Sequence, residues 1–185
     1  MVRIFSNFDT QAPTKNYAQA VREFGFDKVV FLRRHVLYFT IYVILPTIIS
    51  LALIVVWTLY AFFSSGSADI FSEIIVFLIA LYFAIVALSR YFNYTLDYTI
   101  ITPGYISSYN QKGILNREII TIEPEKIKTI TFSSNWFVNS VFNFWSVTIL
   151  LEWDNANNGE IYMDFIHKPE QVKESILRIT DEYGK

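Results

Sequence analysis

Polar and apolar residues are sharply segregated along this chain. No Asp, Glu, Lys or Arg occurs from Val36 to Ala68, and after Asp69 and Glu73 a second apolar run covers Ile74 to Leu88. A hydrocarbon layer of about 30 Å needs roughly 20 apolar residues in helical form, and both runs reach or approach that length. The pattern predicts a transmembrane helical hairpin over residues 36–90. The first run, Val36 to Phe63, is longer than a span needs, which predicts a tilted helix or one kinked near Pro46. It also exceeds the roughly 7–15 apolar residues of a signal peptide and is followed at once by a second span, so the hairpin is expected to be retained.

Beyond the second run the periodicity changes. Tyr94, Leu96, Tyr98 and Ile100 alternate with Thr95, Asp97 and Thr99 up to Pro103-Gly104, which predicts a strand and a turn. Tyr105 to Tyr109 pairs plausibly with it, Asn110-Gln111-Lys112-Gly113 supplies the next turn, and Ile114 to Ile122 runs to the break at Glu123-Pro124. Ile127 to Phe132, Val147 to Trp153 and Ile161 to Ile166 read as further strands, for about six or seven in all. From Pro169, a residue suited to the first helical position, Val172, Ile176 and Ile179 recur at helical spacing. The expected fold class is α+β, with residues 1–35 a leading segment, 36–90 the hairpin and 91–185 one small domain of strands closed by a helix.

Two spans followed by Tyr94-Thr95-Leu96-Asp97-Tyr98-Thr99-Ile100-Ile101-Thr102-Pro103-Gly104-Tyr105, then Gly113-Ile114-Leu115-Asn116-Arg117, then Ile122-Glu123-Pro124-Glu125-Lys126-Ile127-Lys128-Thr129-Ile130, is an order that resembles the bacterial PH-like, membrane-flanked domain family. Arg33-Arg34-His35 ahead of the spans fits the same resemblance, which covers roughly residues 28–180. It implies a PH-like antiparallel β-barrel of about seven strands capped by a C-terminal α-helix, and it implies no particular biochemical activity. The chain departs from the family pattern at Ile100–Pro103, where a basic residue is usual, and at Phe144-Trp145, where an aromatic-Gly pair is usual.

Charge decides the expected orientation. Lys28, Arg33, Arg34 and His35 precede the first span and Arg90 follows the second run, whereas Ser64–Asp69 between them holds no positive charge. Lys and Arg are retained on the cytoplasmic side, so both termini are expected there, in a multi-pass protein of the plasma (inner) membrane. Tyr38, Tyr42, Trp57, Tyr60, Tyr91 and Phe92 stand where interfacial aromatic rings belong. Residues 1–35 carry six Lys/Arg against three Asp/Glu, a balance of +3; residues 91–185 carry eight against twelve, a balance of −4. An acidic domain is a poor partner for nucleic acid, where basic charge supplies much of the affinity.

Candidate chemistry is sparse. There is no cysteine, which excludes disulfides, thiolate metal sites and Cys nucleophiles. His35 and His167 are the only histidines, too few for a usual metal site. No phosphate-cradling glycine loop and no Gly-x-Ser-x-Gly occurs, so neither an enzyme, a cofactor nor a small-molecule substrate is expected. Trp136, Phe137, Val138, Val141, Phe142, Phe144 and Trp145 form a dense aromatic stretch with two readings: a plug in the open end of a barrel, or an exposed patch that docks on the bilayer or on a protein. The expected role is a non-enzymatic scaffold that meets the lipid bilayer and a protein partner or a second copy. The alternative is recognition of anionic lipid through Lys112, Arg117, Lys126 and Lys128.

Overall fold

A computed structural model describes residues 9–63, 70–113, 116–133, 144–151, 160–167 and 169–183. The chain divides into two units, residues 36–94 and residues 1–35 with 95–185.

The first unit holds two helices long and apolar enough to cross a membrane, α2 over Val36–Phe63 and α3 over Ile70–Leu96. Their most apolar stretches are only 6% and 11% buried within the chain. The irregularity expected near Pro46 is a π turn at Thr40–Ile44, just upstream, where the Leu45 N–H donates to the Thr40 carbonyl. Pro46 has no N–H to offer Tyr42, and its ring crowds that carbonyl, so the helix widens there. Ser50 Oγ donates to the Ala80 carbonyl at 3.1 Å, and small side chains at Ser50, Ala80 and Ala87 are buried where α2 and α3 approach. Thr47 and Thr58 turn their hydroxyls back onto the carbonyls of Val43 and Ile54, at 2.7 Å each, and so need no other partner.

The second unit begins before the hairpin. Helix α1, Ala12–Phe24, starts with Pro13 in its first turn and leads through a 3-10 turn, Phe26–Lys28, into strand β1, Val30–Arg33. β1 pairs antiparallel with β2, Tyr98–Ile101, in a register that sets Arg33 opposite Tyr98 and Val30 opposite Ile101. β3, Ile106–Lys112, and β4, Asn116–Ile122, complete a four-stranded antiparallel sheet in the order β1-β2-β3-β4. β5, Ile127–Ser133, β6, Phe144–Leu151, and β7, Glu160–His167, form a second sheet of three, and α4, Pro169–Tyr183, follows.

This architecture corrects two expectations. The described strands form two separate sheets rather than a closed barrel, because β1, β4, β5 and β7 each have a strand neighbour on one side only. The expected break at Glu123-Pro124 is present, carried by a 3-10 turn over Pro124–Lys126 between β4 and β5. The leading segment contributes β1 to the first sheet. Tyr94, Thr95 and Leu96, expected in the first strand, are the last turn of α3, because extending a long helix by one turn costs less than starting a strand there.

The two sheets share a core. Leu32, Ile101 and Ile106 from the first pack with Val147, Ile149, Ile161 and Met163 from the second, and α4 adds Ile176. The opposite face of the first sheet is covered by α1, with Ala20 packed among Val29, Tyr98 and Ile100. Period two therefore sends Thr99 and Ile101 inward and Tyr98 and Ile100 toward α1.

Candidate functional site

Three charged side chains from three chain segments converge in the second unit. Arg34 follows β1, Asp97 precedes β2, and Asp164 lies in β7. The Arg34 guanidinium reaches Asp97 Oδ2 through Nη2 at 3.1 Å and Asp164 Oδ1 through Nε at 2.9 Å. Asp97 is 3% exposed and is the only charged residue in the buried class among the described residues. Its other oxygen, Oδ1, accepts the Gln111 backbone N–H. Burial pushes the Asp97 carboxyl up to about 6, and the Asp164 charge adds to that; Arg34, the Gln111 N–H and Arg117 pull the other way without cancelling it. Two carboxylates share one guanidinium, so when both are ionised the cluster carries one excess negative charge.

A β-bulge positions the third member. Between Trp145–Ile166 and Val147–Met163 the β6–β7 register shifts, so Asp164 and Phe165 oppose Ser146 alone. Phe165 has φ 57°, a left-handed conformation costly for a bulky residue. Its carbonyl accepts the His35 N–H at 3.0 Å, next to the Arg34–Asp164 contact, so the bulge holds the 34–35 segment at two adjacent points.

A second polar group lies on the α1 face of the first sheet. The Tyr98 and Tyr109 rings stack at 4.4 Å, with the Arg117 guanidinium 5.9 Å from the first centroid and 5.2 Å from the second. Asn16 Nδ2 donates to the Tyr98 hydroxyl at 2.7 Å and Arg117 Nη2 at 3.4 Å. Burial pushes that hydroxyl up to about 12.

The residues singled out from the sequence fall as follows. Lys28 is exposed in the 3-10 turn, Arg33 is exposed at the end of β1, and Arg34 belongs to the ion cluster. The His35 ring lies against Phe144 at 4.6 Å. Arg90 sits over the Tyr42 ring at 5.6 Å. Of the aromatic stretch, Trp136, Phe137, Val138, Val141 and Phe142 lie outside the described residues. Phe144 is buried between His35 and Phe165, which takes its ring out of any exposed patch, and Trp145 is half-buried. The basic set is engaged separately: Arg117 lies on its tyrosines, Lys126 pairs with Glu123 at 3.1 Å, and Lys128 is exposed on β5.

Sequence reasoning missed Asp97 and Asp164. The available signal was an Asp placed between an apolar and an aromatic neighbour in each case, Leu96-Asp97-Tyr98 and Met163-Asp164-Phe165. An open cleft of about 600 Å³ also lies between β5, β6 and the start of α4, lined among others by Ile130, Phe132, Trp145, Gln171 and Lys173. No protein-family model matches the chain, and no curated protein matches it significantly.

Proposed function

We propose that this chain is a non-enzymatic two-span membrane protein whose PH-like domain is a cytoplasmic scaffold for protein contacts. The four-plus-three arrangement of antiparallel strands followed by α4 supports the PH-like reading. Arg33 opposite Tyr98 returns the chain after the hairpin to the sheet it left, in keeping with both termini on one side of the bilayer. The basic flanks make that side cytoplasmic.

The observation that carries the scaffold role is the cleft beside β5. Among the described residues this strand pairs with β6 alone, and its Ile130, Thr131 and Phe132 line the cleft with Trp145 and the start of α4. Such an edge suits an extended segment of another protein, with backbone hydrogen bonds giving affinity and the groove giving selectivity. The test is purification of the full-length protein from its own membranes in mild detergent, with the mass of the intact complex measured. A stoichiometric partner or discrete oligomer that is lost in the double variant Gln171→Arg, Lys173→Glu, two exposed positions on α4, supports the scaffold. A monomer that instead binds anionic but not neutral vesicles overturns it in favour of lipid recognition.

A further inference from the structure

The ion cluster has more negative than positive charge, and it is assembled at some cost. A purely structural pair would need one carboxylate; here Asp97 and Asp164 face the same guanidinium from different sheets. The bulge that delivers Asp164 is held with Phe165 in a left-handed conformation. Strain of that kind persists where the surroundings over-determine it, and it gathers at switching and binding elements. Groups facing Asp97 are Arg34 from the end of β1, Asp164 from β7, Arg117 at longer range from β4, and the Gln111 N–H from β3.

We propose that Arg34, Asp97 and Asp164 form a proton-binding latch between the two sheets, tight when Asp97 holds a proton and loosened when it is ionised. The proton resides on Oδ2, whose 3.1 Å approach to Arg34 Nη2 is not an aligned hydrogen bond, whereas Oδ1 accepts the Gln111 N–H. Of the two carboxylates facing Arg34 only Asp164 is then charged, and the three side chains sum to zero. Loss of the proton restores the buried Asp97 carboxylate, whose repulsion from the partly exposed Asp164 acts between the start of β2 and the bulge in β7. Because Arg34 stands two residues before α2 and Asp97 directly after α3, the latch sits on both chain connections into the hairpin. Protonation as pH falls through about 6 is consistent with the raised value for Asp97.

The test is hydrogen exchange of the full-length protein in detergent micelles at about pH 5 and about pH 7.5, each corrected for intrinsic exchange. A carboxyl at about 6 when closed and 3.8 when open makes opening about tenfold more frequent at the higher pH. Amides of β2 and of β7 around Asp164 should therefore lose about tenfold in protection, whereas Asp97→Asn should show equal protection at both. An unchanged wild type, or the same loss in Asp97→Asn, overturns the latch. Should that variant not fold, Asp164→Asn serves in its place: with one carboxylate per guanidinium, Asp97 titrates lower and the pH difference should shrink. Infrared spectra of protein labelled with 13C-aspartate give an independent reading. A protonated carboxyl band that grows below about pH 6 supports the latch, and its absence rules the latch out.

Discussion

Arg33 and Tyr98 are register partners in adjacent strands, although two apolar helices intervene between them in sequence. The hairpin of α2 and α3 is thus an insertion into a sheet connection that a short turn makes in other antiparallel pairs. The fold of the second unit does not require the insertion, since its core residues come from β1, β2, β3, β6, β7 and α4. Replacing Val36–Tyr94 by a loop of about four residues rich in Gly and Asn should therefore give a soluble protein. Circular dichroism should show mixed helix and sheet with a cooperative thermal transition. A product that is soluble only in detergent, or that melts without cooperativity, would contradict the insertion.

Arg34 is the sole positive partner that contacts Asp97 and Asp164 directly among the described residues. Arg34→Gln leaves the buried Asp97 carboxylate facing the partly exposed Asp164 with no guanidinium between them, and breaking a buried pair in this way costs about 3–5 kcal/mol. The sign of the pH dependence is fixed by the raised value. Asp97 sits at about 6 folded and 3.8 unfolded, so its stabilising contribution is complete below 3.8 and is lost as pH rises through 6. The full difference corresponds to about 3 kcal/mol, with about 1 kcal/mol of it falling between pH 5 and pH 7.5. Arg34→Gln should be most unstable above neutrality, recover on acidification, and be rescued at neutral pH by adding Asp97→Asn. Denaturant unfolding at several pH values checks all three outcomes.

How far the sequence could carry the structure depended on the range of the interactions involved. The two spans were legible because length and absence of charge are local properties, and strands β3 to β7 were legible because alternation is local too. Barrel closure was not, since it depends on which strand edges meet, and a residue pattern of period two is the same in one sheet or two. β1 escaped notice although Val29-Val30-Phe31-Leu32 is a β-prone run after Gly25, because its partner lies beyond the hairpin. The ion cluster was hidden for the same reason. Arg34 read as a topology signal beside Arg33, and only the bulge at Asp164 and Phe165 shows that it faces inward.

Arg117 separates the two functional readings. Its guanidinium lies over the Tyr98 and Tyr109 rings, one of its nitrogens reaches the Tyr98 hydroxyl, and its Nε is buried. A residue committed in this way stabilises the fold more than it attracts a headgroup. Arg117→Met, which keeps the stem and removes the charge, should lower stability by about 1 kcal/mol. Binding of the full-length protein to anionic vesicles should stay within about twofold of wild type. A loss of vesicle binding without loss of stability would assign Arg117 to lipid recognition.

Ser50 and Ala80 set how closely α2 and α3 approach. The hydroxyl donates to a carbonyl of the neighbouring helix at 3.1 Å, and both residues are buried. Hydrogen bonds of this kind between membrane helices average about 0.6 kcal/mol, so Ser50→Ala should be mild. Ala80→Leu acts differently, because several added carbons must fit where backbone meets side chain, and overpacking costs about 1–3 kcal/mol. The expected order of stability in detergent is wild type, then Ser50→Ala, then Ala80→Leu. Thermal unfolding in detergent, followed by circular dichroism, reads this directly. Equal midpoints in all three proteins would show that the approach at Ser50 and Ala80 does not hold the hairpin together.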